Sequence, residues 1–149
     1  TAFIVNDDPT IAAEVGADGV HVGQDDMTPT EVRKRFPELK IVGLSTHNLN
    51  QVIAANEERV DYIGVGPVYA TPTKDIPDPT LGLDTLKAMV SASRHPAVAI
   101  GGIDIARISD VIKAGAKNFA VVRAVCQSND PYGAIRLIEE KYSAMKFML

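Results

Sequence analysis

The sequence has almost no cysteine. Cys126 stands alone in 149 residues, which excludes an internal disulfide and fits a reducing, cytoplasmic setting. It follows the apolar run "NFAVV", so a structural role is expected for it rather than a nucleophilic one. Positive charge is also scarce. The chain carries 15 Lys and Arg against 19 Asp and Glu, a formal net charge of -4. That balance argues against nucleic acid or an anionic membrane surface as partner. No apolar run approaches the roughly 20 residues of a membrane span. No CxxC, HExxH or Ser-His-Asp set is present, and no Gly-rich dinucleotide fingerprint follows the first apolar run.

What is present is a repeated pattern. Six short apolar runs recur: Ala2–Val5, Gly19–Val22, Lys40–Leu44, Tyr62–Gly66, Ala97–Gly102 and Asn118–Val122. They are rich in Val and Ile and alternate little with polar residues, which predicts strands buried on both faces of a parallel sheet. Helical segments lie between them. Asp8-Pro9 and Asp130-Pro131 read as an N-cap followed by a first-turn proline. Thr28-Pro29-Thr30-Glu31 reads as a capping box. Residues 48–58 and 103–116 each place apolar residues on one side, and residues 131–149 predict a closing amphipathic helix. The result is a single α/β domain over residues 1–149, made of six βα units. Polar groups follow nearly every run, which favours a TIM-type (β/α) barrel, whose strand ends converge on one mouth, over an open doubly wound sheet. A barrel needs eight strands. The chain opens at once on the strand-like "TAFIVNDD", so the expectation is that the first two βα units lie outside these 149 residues.

Three groups of residues could carry chemistry. Asp7 and Asp8 follow the first run, and Asp25 and Asp26 the second. Clustered carboxylates without His or Cys are hard oxygen donors that suit Mg²⁺ together with substrate phosphates. They could equally be helix caps or a solvated rim. Gly101-Gly102 lets backbone approach an anion just ahead of a predicted helix, and Arg123 could add a fork of donors. A plain tight turn is the other reading. The 17-residue stretch "GPVYATPTKDIPDPTLG" from Gly66 to Gly82 has no periodicity, and loops of that length are usually functional. Thr71, Thr73 and Lys74 offer it hydroxyls and a mobile cation suited to phosphate; a proline-rich spacer is the alternative. Of the histidines, His47 lies at the mouth and could act as acid or base. His21 reads as a packed, hydrogen-bonded core residue, and His95 as a solvated one away from the mouth. These features suggest a Mg²⁺-assisted displacement between phosphorylated small molecules.

The segments "FIVNDD", "ADGVHVGQDDM", "VGLSTH", "DYIGVGPVYATPTKD", "AIGGID" and "AGAKNFAVVRAV" together resemble the thiamine-phosphate synthase family through nearly the whole chain. The resemblance implies a TIM-like barrel that couples a hydroxymethylpyrimidine diphosphate to a thiazole phosphate with Mg²⁺, releasing diphosphate. It implies Asp7 and Asp26 as Mg²⁺ ligands. It implies Asn6, Ser45 and Lys74 at the pyrimidine diphosphate, with Ser45 and Lys74 in catalytic roles. Thr71, Pro72 and Thr73, with Gly102 and the backbone of Val122 and Arg123, would hold the thiazole phosphate. Position 123 is often Ser in the family and is Arg here. The family also carries a basic segment on an earlier strand that nothing here matches, so little turnover is expected from this segment alone. Two alternatives stay open: a thiazole tautomerase-like enzyme, which lacks the acids and the TxTK pattern, and a barrel that binds phosphorylated ligand without turnover. The partners expected are small molecules, with a homo-oligomer possible.

Overall fold

The computed structural model describes residues 1–71 and 79–145. Six strands alternate with helices: β1 (Ile4–Asn6), α1 (Pro9–Glu14), β2 (Gly19–Val22), α2 (Pro29–Arg35), β3 (Ile41–Thr46), α3 (Leu49–Ala55), β4 (Tyr62–Val65), α4 (Gly82–Ala92), β5 (Ala97–Ala99), α5 (Ile108–Lys113) and β6 (Asn118–Phe119), then α6 (Arg123–Cys126) and α7 (Pro131–Met145). Every strand pairs in parallel with the next, in the order β1-β2-β3-β4-β5-β6. Sequential order without reversal is barrel topology, since an open doubly wound sheet has a point where the order turns back.

Local chemistry accounts for the helix starts. The Asp8 carboxylate accepts from the N–H groups of Thr10 and Ile11, and Pro9 opens α1. At α2 the Thr28 hydroxyl accepts from the Glu31 N–H while the Glu31 carboxylate accepts from the Thr28 N–H. These bonds satisfy donors that a helix cannot satisfy internally. Asp130 does the same for α7 through the Gly133 N–H. The Thr28 hydroxyl, which also donates to the Glu31 carboxylate at 2.8 Å, and next the Thr28 N–H hold the Glu31 carboxyl below the usual range.

One face of β2, β3, β4 and β5 is fully packed. Val20, Val22, Val42, Leu44, Ile63, Val65, Ala97 and Ala99 join Ala12, Val32, Val52, Leu86, Met89, Ile108 and Val111 from the helices in the core. Burying a side chain the size of Leu86 or Met89 contributes roughly 1.5–3 kcal/mol. The alternate positions, His21, Ser45, Tyr62, Gly64 and Val98, face a cavity instead. The central strands are buried on both faces as expected, with residues 42–46 of β3 and 63–65 of β4 all buried. Most of those positions facing the cavity are Gly or polar, Val98 apart, and they leave room rather than fill it.

Away from the cavities, Arg33 ties loops together. Its guanidinium donates to the carbonyls of Leu39, Lys40 and Arg59 and pairs with Asp61, whose carboxylate also accepts from the Val42 N–H. Two further expectations change. α5 begins at Ile108 rather than Ile103, because the Asp104 carboxylate and carbonyl both accept from the Arg107 N–H and hold residues 104–107 in a turn. Cys126 ends the short α6 and is exposed rather than packed in the core.

Candidate functional site

Two adjoining cavities lie at the C-terminal ends of the strands and share His47, Ile100 and Ala120 as a common wall. The larger, about 940 Å³, is lined by Asn6, Asp7, His21, Gln24, Asp25, Asp26, Ser45 and Tyr62, among others. The smaller, about 420 Å³, is lined by Thr71, Gly101, Gly102, Asp104 and the 120–124 segment, including Val122 and Arg123.

The larger cavity is built from side chains locked by hydrogen bonds. Asp7 follows β1 with φ of 68°, the one non-glycine residue at positive φ among those described. The Asp7 N–H donates to the His21 carbonyl at 2.8 Å, and the Asn6 side-chain amide donates to the Asp7 carboxylate at 2.6 Å. This left-handed residue, strained for a non-glycine, aims the Asp7 side chain at the mouth. The Asp26 carboxylate accepts from the Gly23 N–H at 2.7 Å, and the Gln24 amide donates to the Ser45 carbonyl at 2.6 Å. Asp7 and Asp26 thus line one cavity, as the sequence predicted. Among the described residues no three His, Cys, Asp or Glu side chains converge as a metal cage. Two carboxylates with amide neighbours fit Mg²⁺ nonetheless, because it takes few protein ligands and completes its shell with water and phosphate oxygen.

A buried relay backs Ser45, which is 7% exposed. His21 Nε2 lies 2.9 Å from Ser45 Oγ, and His21 Nδ1 lies 3.0 Å from the Tyr62 hydroxyl. The two rings meet with centroids 5.3 Å apart. Gly43 and Gly64 make the space: a Cβ on Gly43 would fall within 2.6 Å of both rings. Burial, and next the charge of Asp61, push the Tyr62 phenol up. Where the Tyr62 hydroxyl donates to Nδ1, the neutral imidazole carries its proton on Nε2 and donates to Ser45 Oγ; in the other tautomer Nδ1 donates to the Tyr62 hydroxyl and Nε2 accepts from Ser45 Oγ. Sequence reasoning read His21 as hydrogen-bonded, which holds, but as core, which does not. It passed over Tyr62 entirely. The available signal was a polar aromatic beginning a strand whose neighbours at that level are Gly43 and His21.

His47 stands between the cavities. Its Nδ1 is 2.7 Å from the Gly66 carbonyl, which only accepts, so Nδ1 carries the proton in the neutral ring. Its backbone N–H donates to the Gln51 side chain. His95 is half-buried and its Nε2 lies 3.1 Å from the Ala55 carbonyl, so it is held rather than solvated.

The smaller cavity is built from backbone. Gly101 and Gly102 have φ of 89° and 62°. A Cβ on Gly101 would meet Pro67 at 2.4 Å, and one on Gly102 would meet the Ala70 carbonyl oxygen at 2.7 Å. Only glycine fits either position. The turn also accepts from the chain after β4, through Tyr69 N–H to the Gly101 carbonyl at 3.2 Å. Thr71 lines this cavity, while Val122 and Arg123, both exposed, form its far side. Pro72, Thr73 and Lys74 lie outside the described residues.

The family model described as thiamine monophosphate synthase matches residues 1–125. The chain belongs to that family. It is 46% identical over 140 residues to the thiamine-phosphate synthase of Thermus thermophilus, covering 93% of this chain and 66% of that relative. It is 47% identical over 134 residues to the thiamine-phosphate synthase of Chloroflexus aurantiacus, covering 90% and 62%. The chain thus spans somewhat less than two thirds of the length of these curated relatives. The solved thiamine phosphate pyrophosphorylase of Pyrococcus furiosus superposes with a TM-score of 0.88 at 31% identity, covering 97% of this chain and 68% of that one. Similarity to a 3-hexulose-6-phosphate synthase, with TM-score 0.64 and 22% identity, shows the shared barrel fold alone. Among the described residues no helix is long and apolar enough to cross a membrane.

Proposed function

We propose that the protein serves as the thiamine-phosphate synthase of its family, joining 4-amino-2-methyl-5-hydroxymethylpyrimidine diphosphate to 4-methyl-5-hydroxyethylthiazole phosphate. One observation carries this reading: a carboxylate-and-amide cavity and a glycine-turn cavity open side by side and share a wall. Two phosphorylated substrates that must react with each other need that arrangement.

The larger cavity takes the pyrimidine diphosphate. Asn6 orients Asp7, and Gly23 orients Asp26, so both carboxylates would hold Mg²⁺. Bound there, Mg²⁺ neutralises the charge that builds on the departing diphosphate. Ser45, fixed by the Tyr62–His21 relay, contacts the pyrimidine. The smaller cavity takes the thiazole phosphate at Thr71, Gly102 and the Val122-Arg123 backbone. The diphosphate leaves with the C–O bonding electrons, and the thiazole nitrogen captures the resulting pyrimidine cation. The roles of Pro72, Thr73 and Lys74 at the two phosphates rest on the family resemblance. Arg123, beside a phosphate, adds a charge that complements it. The protein works in the cytoplasm on small molecules, and a homo-oligomer is compatible with this role.

The test is to incubate the protein with both substrates and Mg²⁺ and measure thiamine phosphate and diphosphate in equal amounts. Saturable thiazole phosphate binding without diphosphate release would leave the binding-only reading. Isomerisation of a thiazole substrate without any need for Mg²⁺ would favour the tautomerase one.

A further inference from the structure

Arg107 sits outside the residues that contact substrate in the reading above, yet it touches two lining residues of the smaller cavity, Gly102 and Asp104, and the Tyr69 ring beside it. Its Nη1 donates to the Gly102 carbonyl at 2.7 Å. Its guanidinium stacks 4.5 Å from the centroid of the Tyr69 ring, two residues before Thr71. Its Nε lies 3.7 Å from the Asp104 carboxylate, and its own N–H donates to that carboxylate at 3.0 Å. Asp104 itself lines the cavity. A carboxylate in that wall repels any phosphate unless a cation is held against it.

We propose that Arg107 is a positioning residue for the anion cavity. It pins the Gly101–Gly102 turn against the chain leaving β4, and it neutralises Asp104, so that a phosphate meets the glycine backbone and not an unpaired carboxylate. The planar guanidinium suits this double task. One edge donates to a carbonyl while its face lies on an aromatic ring, which a lysine ammonium cannot reproduce. The turn runs close against the chain after β4, since a Cβ on Gly102 would meet the Ala70 carbonyl oxygen at 2.7 Å, and Arg107 bonds to it there. This inference rests on the reading of that cavity as the thiazole phosphate site.

Inorganic phosphate is the probe. It is titrated into the ¹⁵N-labelled protein, following the amide signals of Gly101, Gly102, Val122 and Arg123. The wild-type signals are expected to shift saturably. Arg107→Met is expected to weaken the apparent affinity about tenfold, the cost of losing one charge-assisted bond. Arg107→Lys should fall between the two, because it keeps the charge and loses the stack and the fork. Adding Asp104→Asn to Arg107→Met should restore most of the affinity, since the asparagine oxygen still accepts from the N–H of residue 107 but carries no charge. A purely structural arginine would gain nothing from that second change. Equal affinity of wild type and Arg107→Met, or no restoration by Asp104→Asn, overturns the proposal while the cavity keeps its assignment. If Arg107→Met does not fold, Arg107→Lys decides, and unchanged affinity there overturns it as well. Absence of saturable shifts in the wild type removes the anion site itself, and this inference with it.

Discussion

The two cavities do similar work by opposite means. In the larger, the proposed function rests on side chains, Asp7, Asp26 and Ser45, each held by a neighbour's hydrogen bond. In the smaller it is carried by backbone, with two glycines pressed against Pro67 and Ala70. A hard cation needs oxygen atoms of negative charge, which only side chains supply. A phosphate needs N–H groups brought close, which a Cβ would obstruct. The contrast decides how each half should respond to mutation. The larger cavity should lose chemistry without losing structure. The smaller should lose both together.

The largest effect is expected for Asp7→Asn and Asp26→Asn. Each keeps its size and its neighbours while removing charge where negative charge is used. Thiamine phosphate formation with saturating substrates should drop by about 100-fold or more. The thermal midpoint should stay near wild type, since both residues line solvent. A variant that keeps turnover within threefold would break the contrast on its acidic side. Gly102→Ala comes next. Its positive φ and the nearby Ala70 oxygen together predict a stability loss of about 1–3 kcal/mol. Thiazole phosphate affinity should weaken in the same variant. Denaturant unfolding with a binding titration checks both, and loss of one without the other would show that the halves are not built as described.

How much of this was legible beforehand follows the range of the interactions. The caps at Asp8, Thr28 and Asp130 involve residues two or three apart, and all three lie where the sequence pattern put them. β2 was read to the residue, because glycine and valine bound it on both sides. That the acids after β1 and β2 meet at one mouth follows from parallel neighbouring strands, while the choice of Asp7 and Asp26 among them comes from the family resemblance. What escaped depends on distant partners. His21 looked like core until Tyr62, 41 residues away, and Ser45, 24 residues away, gave its ring a task. Apolar spacing over residues 103–116 suggested one helix, yet the Asp104 carboxylate turned the first part into a cap and a turn. Periodicity reports which face is apolar, not whether a nearby side chain competes for the backbone. Arg107 could not be assigned from the sequence at all, because its partners Tyr69 and Gly102 come together only through strand order.

A smaller effect tests the relay on the larger cavity's wall. Tyr62→Phe removes the hydroxyl beside His21 Nδ1 and leaves the ring to fill its space. His21 then loses its partner at Nδ1, and the ring that meets Ser45 is held less firmly. Such supporting hydrogen bonds are worth about 10-fold or more at a polar site. The fall is expected in kcat, with the KM for thiazole phosphate unchanged, because that substrate sits in the other cavity. An altered thiazole phosphate KM with intact kcat would show that the shared wall couples the halves more than their construction suggests.

The smallest effect compares one tyrosine from each half at high pH. Burial first, then the charge of Asp61, raises the Tyr62 phenol. Burial first, then Asp110, raises Tyr69, but the Arg107 cation stacked on its ring works the other way. In the unfolded chain both phenols ionise near 10. Above that pH the unfolded state therefore holds fewer protons than the folded one, and stability falls as pH rises. Replacing either tyrosine with Phe should flatten that fall. Tyr62→Phe should flatten it more, since burial and Asp61 both raise the Tyr62 phenol with no opposing cation among the described residues, whereas Tyr69 keeps Arg107 above it. Urea midpoints measured at pH 8 and pH 10.5 on the two variants check the order. The reverse order would mean that Arg107 does not hold its charge over Tyr69, and the backbone-built half would lose the clamp that distinguishes it from its neighbour.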